Sequence, residues 1–168
     1  IRTRSGRTWG QVNTTPVVTV NQQRGGYNVL SAITAMGELD FDIEEASING
    51  KRYIEFLEKL LKGRTRPLIV IADNASFHRS KEVRDFVRSH RHQIRLFFLP
   101  PYSPEMNPDE QVWNEIKHRH LEKEPIKNKS DLNRRIDGLL RLLKEEAEKV
   151  RSFFRLRNTR YAGIPEPA

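Results

Sequence analysis

Two acidic residues stand where a carboxylate could reach a substrate. Asp73 follows the apolar run Leu68-Ile69-Val70-Ile71-Ala72, and Glu110 ends the segment Asn107-Pro108-Asp109-Glu110. A carboxylate placed directly after a buried strand projects over the carboxyl edge of a sheet, where α/β domains bind ligands. Each residue also has an ordinary explanation. Asp-Asn is a common turn pair, so Asp73 taken alone reads as a cap on the turn that follows. Asn at the N-cap, Pro at N1 and Glu at N3 make a capping box, so Glu110 taken alone reads as a helix start. The two roles are compatible, because a Glu in a first helical turn can also face a neighbouring strand end. Together the carboxylates could converge, with no Cys in the chain and no paired His beside them. That donor set suits hard, oxygen-preferring Mg²⁺ or Mn²⁺ rather than zinc. Two such ions stabilise the attacking and leaving oxygens in phosphodiester chemistry.

The histidines divide into two kinds. His90-Arg91-His92 and His118-Arg119-His120 invite a metal reading. A spacing of two does not place both rings on one helical face, so both pairs read as surface or DNA-facing. His78 follows Asp73 within one loop. It reads either as a partner of that carboxylate or as a helix-start residue.

Convergence requires particular elements. Leu68 to Ala72 reads as a strand buried on both faces. Ile94 to Leu99 reads as a second strand, stopped by Pro100-Pro101. The two are expected to be adjacent and parallel, joined by a short helix marked by Val83, Phe86 and Val87. A helix beginning at Asn107 carries Val112, Trp113 and Ile116 and leaves from the second strand. Upstream, Tyr27 to Thr34 and Leu39 to Ile43 form a hairpin around Met36-Gly37-Glu38. Leu39, Phe41 and Ile43 face inward, and Asp40 and Asp42 outward. Asn49 caps a helix with Tyr53, Ile54, Leu57, Leu60 and Leu61 at helical spacing, ended by Gly63. A helix from Ser130 or Asp131 carries Leu132, Ile136, Leu139, Leu140 and Leu143. Val150, Phe153, Phe154 and Leu156 suggest a last helix. This order of elements predicts a layered α/β domain. The chain reads as one domain, 1–168, with 125–168 a helical C-terminal extension of it.

Composition sets the class. The chain has 168 residues, and 30 Lys and Arg against 22 Asp and Glu give a net charge of +8. A basic balance makes nucleic acid the first partner to consider. The absence of cysteine excludes disulfides, thiol catalysis and Cys-ligated zinc, and it suits a reducing compartment. No apolar run is long enough to span a membrane. Lys127, Lys129, Arg134, Arg135, Arg141 and Lys144 lie in the later helices, followed by Arg151, Arg155, Arg157 and Arg160. Part of this set, with Arg134, Arg135, Arg141, Arg151, Arg155 and Arg157 foremost, is expected to contact DNA phosphates. A solvated helix surface explains the same residues equally well.

The stretch LIVIADNASFHRSKEV, followed by IRLFFLPPYSPEMNPDEQVWNEIKHRH, resembles the catalytic core of the DDE/D transposases. The likeness is greatest to the bacterial insertion-sequence branch related to the mariner elements. The matching positions are Asp73-Asn74, His78, Leu99-Pro100, Tyr102-Ser103-Pro104, Asn107-Pro108, Glu110 and Trp113. Many matched positions in a fixed order are more specific than any single short motif. Similarity is densest over 68–120 and extends back through Gly6-Arg7-Thr8-Trp9-Gly10 and the hairpin.

The resemblance implies an RNase H-like mixed sheet flanked by helices. Asp73 and Glu110 would be the second and third catalytic carboxylates, holding two Mg²⁺ or Mn²⁺ ions. Asn74, His78, Tyr102 and Asn107 would support them. It further implies cleavage and strand transfer at transposon ends, a homodimer or higher multimer on DNA, and a bacterial cytoplasmic, nucleoid-associated setting. Two departures qualify it. Asp109 stands where family members usually carry an apolar residue, and it receives no role. The family's first catalytic Asp lies on a first strand, just before the region that matches Ile1-Arg2, and no residue here matches it. Asp40 and Asp42 lie on the expected third strand and are poor substitutes. The chain is therefore expected to be a fragment that also lacks the family's helix-turn-helix region. The alternatives are an inactive remnant serving as a DNA-binding or interaction module, and an RNase H-like nuclease with another substrate.

Overall fold

A computed structural model describes residues 26–117 and 126–163. Strands β1 (Asn28–Ile33) and β2 (Leu39–Glu44) pair antiparallel, with Ser31 opposite Phe41. Gly37 makes the turn at φ +92° and lies so near α5 (Ala147–Ser152) that an added Cβ would sit 2.6 Å from the Ala147 carbonyl oxygen. Two needs thus converge on one glycine, a left-handed backbone and close approach.

Helix α1 (Gly50–Leu61) starts where the Asn49 side chain accepts from the Arg52 amide, and Gly63 follows its end at φ +76°. It buries Tyr53, Phe56, Leu57 and Leu60, each worth about 1.5–3 kcal/mol if fully removed from water. Strand β3 (Leu68–Ala72) pairs parallel with β4 (Ile94–Phe98) through the crossover helix α2 (Lys81–Ser89), as the run of elements requires. Short α3 (Glu110–Ile116) and long α4 (Lys129–Glu145) precede α5.

The core has two clusters. α1 and α2 pack against Leu30, Leu68, Val70, Ile94 and Leu96, which covers one face of both strand pairs. α3, α4 and α5 pack through Val112, Ile116, Ile136, Leu140, Leu143 and Val150 on Leu39, Phe41 and Ile43, the other face of the hairpin. The region after 125 therefore shares the hairpin's core through these helices. Among the described residues the strands form two separate two-stranded sheets, β1-β2 and β3-β4. A cavity of about 410 Å³ lies between the two pairs, walled by Val29–Ala35 on one side and Leu68–Asp73 on the other.

Three expectations need correction. β3 is not buried on both faces: Ile69 is 65% and Ile71 40% exposed. An apolar run shows that a strand can be covered twice, but α1 and α2 reach only the face of Leu68, Val70 and Ala72. Asn107 does not cap a regular helix. The Glu110 amide donates to the Asn107 carbonyl, and the next two amides also close three-residue turns, so α3 begins at Glu110 after a tight entry. α4 begins at Lys129 and its cap is Asn128, whose side chain accepts from the Asp131 amide at 2.8 Å. The His118–His120 pair lies outside the described residues.

Candidate active site

The site is built at the carboxyl edge of β3. The Leu99 amide donates to the Ala72 carbonyl at 2.9 Å, so the chains leaving β3 and β4 start side by side. Asn74 then ties them, its amide nitrogen donating to the Leu99 carbonyl at 2.6 Å. This bond joins the loop that carries Asp73 to the loop that leads to Glu110.

Asp73 serves both of the roles open to it in the sequence. Its Oδ1 accepts from the Ala75 amide at 2.9 Å, as a turn cap does. The same oxygen lies 2.8 Å from His78 Nδ1. His78 is buried among rings, with the Tyr53 centroid at 4.3 Å and the Phe77 centroid at 4.2 Å. Burial lowers its pKa, opposed by the Asp73 charge, so the ring is neutral near pH 7. Both groups facing Nδ1 are oxygens, the Asp73 carbonyl at 3.2 Å and its carboxylate, so Nδ1 carries the proton and donates. His78 thus orients Asp73 and leaves Oδ2 without a hydrogen bond among the described residues. The Asp73 side chain is 58% exposed, so that oxygen is open.

The second loop is stiff. Pro100, Pro101, Pro104 and Pro108 fix four φ angles between the end of β4 and α3. Tyr102 adopts φ +57° and is fully exposed. Asn107 Oδ1 accepts from the Asp109 amide at 3.1 Å, closing the turn that presents Asp109 and Glu110. Glu110 is partly buried, and its carboxylate makes no hydrogen bond or ion pair among the described residues. Asp73, His78, Asn107, Asp109 and Glu110 all line the 410 Å³ cavity between the strand pairs.

Two open carboxylates on one cavity are suited to a hard divalent cation. They are a partial set, since the described residues contain no group of three or more His, Cys, Asp or Glu able to hold a metal ion. Asp109 is close to both, because their charges act on it, yet it points elsewhere: Ser31 Oγ donates to its Oδ2 at 2.6 Å. Burial raises its carboxyl to about 6, opposed by the Ser31 hydrogen bond and by Trp113.

Sequence reading missed the Ser31–Asp109 bond. The available signal was a polar residue between Val29 and Ile33 on an otherwise apolar strand face. The arginines expected on DNA are placed as follows. Arg134 and Arg135 pair with Asp131 at 2.7 and 3.1 Å, and Arg141 with Asp137 at 2.7 Å. Arg151 pairs with Glu148 and donates to the Met36 carbonyl at 2.9 Å. Arg155 also reaches Glu148, at 3.4 Å. Arg157 is exposed and has no partner among the described residues. No described helix is long and apolar enough to cross a membrane.

Residues 1–133 match the family described as DDE superfamily endonuclease. No curated protein matches the chain. Among solved structures, the chain is similar to the Mos1 mariner paired-end complex with Mn. Identity is 16% and the TM-score 0.60, over 89% of this chain and 50% of that one. It is similar to the Mos1 strand transfer complex at 18% identity and TM-score 0.56, over 89% and 49%. The catalytic domain of Mos1 mariner transposase aligns at 14% identity and TM-score 0.50, over 83% and 82%. The chain spans about half the length of the first two. At such identities the likeness is one of fold, and it assigns the chain the RNase H-like α/β architecture.

Proposed function

The chain belongs to the DDE superfamily endonucleases, and from that premise we propose that it is the catalytic core of a transposase, which cuts DNA at the ends of a mobile element and joins them to a target. One observation carries this reading. Asp73 and Glu110, with 36 residues between them, bring unpartnered carboxylate oxygens to one cavity at the end of β3.

In this reading Asp73 and Glu110 hold Mg²⁺ or Mn²⁺, two ions in the complete site. The Mn in the Mos1 paired-end complex supports that choice of cation. Such an ion, when bound, polarises the phosphoryl group and makes water a stronger nucleophile. The chain's own residues do the rest. His78 holds one oxygen of Asp73 so that the other faces the cavity. Asn74 keeps the two carboxylate-bearing loops together, and Asn107 shapes the turn that presents Glu110. Water attacks phosphorus, the bond to the 3′ oxygen breaks, and the freed 3′-hydroxyl then attacks a target phosphodiester. The donor set is completed by a third carboxylate on a strand seated between β1 and β3, from outside the described residues. The Mos1 paired-end and strand transfer complexes support DNA as the partner, and a multimer would hold two ends together.

The test is metal-dependent nicking by the full-length protein of a plasmid carrying the element's own ends. Asp73→Ala and Glu110→Ala should each lower the nicking rate at least about a hundredfold. Unchanged nicking in either variant refutes the assignment.

A further inference from the structure

Val29, Ser31 and Ile33 share one face of β1. Val29 and Ile33 pack into the apolar cluster that holds Val112 and Ile116 of α3. Ser31 lies between them and donates to Asp109 Oδ2 at 2.6 Å. The Trp113 indole, one turn on, lies close enough to the same carboxylate to oppose the rise in its pKa. Asp109 Oδ1 is buried with no hydrogen-bond partner. Leaving a buried carboxylate oxygen unpartnered costs stability. An apolar residue would fill this place at lower cost, so the pair calls for a role beyond holding the fold together.

The geometry supplies one. α3 has seven residues and a tight entry, and its apolar contacts are non-directional. Val112 and Ile116 alone let so short a helix slide or turn on the hairpin. A hydrogen bond of set length and direction does not. Glu110 is the next residue and has no anchoring bond of its own. We propose that Asp109 is a positioning residue: with Ser31 it pins the first turn of α3 to β1 and so sets where the Glu110 carboxylate stands in the cavity. The inference rests on the proposed function, which makes Glu110 a metal ligand.

The experiment uses the full-length protein and the variants Ser31→Ala, Asp109→Leu, Asp109→Asn and the double Ser31→Ala/Asp109→Leu. Mn²⁺ binding is read by electron paramagnetic resonance, folding by metal-free melting, and turnover by kcat and KM for end DNA. Ser31→Ala and Asp109→Leu should weaken Mn²⁺ binding about tenfold and lower kcat at constant KM, the size expected for groups that orient a ligand. Asp109→Asn keeps an acceptor for Ser31 and should stay within about threefold of the parent. The double variant removes the Ser31 hydroxyl together with its buried acceptor and leaves only the half-buried Trp113 indole to turn to water, so it should melt close to the parent yet keep the weak Mn²⁺ binding. Parental Mn²⁺ binding in the double variant overturns the proposal. So does an Asp109→Asn protein as impaired as Glu110→Ala, since Asp109 would then be a ligand itself. If the parent neither binds Mn²⁺ nor nicks, the function fails and this inference with it. If the parent does both and the variants match it, the inference alone fails.

Discussion

Tyr102 is the only non-glycine residue at positive φ among the described residues, and its ring is fully exposed. The left-handed region costs a residue with a Cβ roughly 1–2 kcal/mol. Glycine would relieve this but lose roughly 0.5–1 kcal/mol to its freer unfolded chain. Tyr102→Gly should therefore be as stable as the parent or more so, by up to about 1.5 kcal/mol in a denaturant titration. If the ring serves DNA beside the carboxylates, that variant should nick more slowly, while Tyr102→Phe should not. A Tyr102→Gly protein that nicks as fast as its parent would leave the ring without a role. At this scale the residue types were legible. Asp73 followed a strand and His78 followed Asp73, so their proximity was readable from the loop. Which oxygen His78 occupies, and that Asp109 turns to Ser31, depended on the packing of rings and strands that lie far apart in the chain.

The long helix α4 shows what an element contributes. Asp131 sits in its first turn, where the Lys127 amide, Arg134 and Arg135 all meet its carboxylate. The Lys127 amide bond first, then Arg134, depresses its pKa to about 2. The folded value lies below the usual carboxylate value near 3.9, so this stabilisation is complete above about pH 4 and fades as pH falls towards 2. Asp131→Asn should thus be less stable than the parent at pH 7, and the gap should close between pH 4 and 2 in a denaturation series. Equal stabilities at pH 7 would show that the cluster adds nothing. Elements were mostly legible, because apolar periodicity reports a half-buried helix or strand directly. Their edges were less so. Asn107 matched a capping pattern, but the proline-bound loop before α3 enters through tight turns. β3 had an apolar face to spare, and coverage of that face is a property of its neighbours.

Across the molecule, the net charge of +8 promised a polyanion. The structure divides that charge unequally. Arg134, Arg135, Arg141, Arg151 and Arg155 are engaged with Asp131, Asp137 and Glu148, whereas Arg157 is not. An engaged side chain must give up a partner to meet a phosphate. Arg157→Ala should therefore weaken DNA binding alike on all sequences and reduce the slope of log affinity against log salt by about 1, while Arg134→Ala changes it less. Equal slopes for the parent and Arg157→Ala would remove Arg157 from the interface. The cavity between β1 and β3 belongs to this scale too. Among the described residues, the strand edges on either side of the 410 Å³ cavity are unpaired and form a seat that backbone hydrogen bonds can fill.

The amino-acid sequence by itself determined the class of chemistry. A net basic, cysteine-free composition, two carboxylates after predictable elements, and an ordered set of motif residues depend only on residue types and spacing. Only the tertiary structure decided which oxygens are open, which arginines are already paired, and that a buried Ser31–Asp109 bond ties α3 to β1. Those facts concern distances between segments remote in the chain, and they are settled by how helices and strands exclude water from one another rather than by any local pattern.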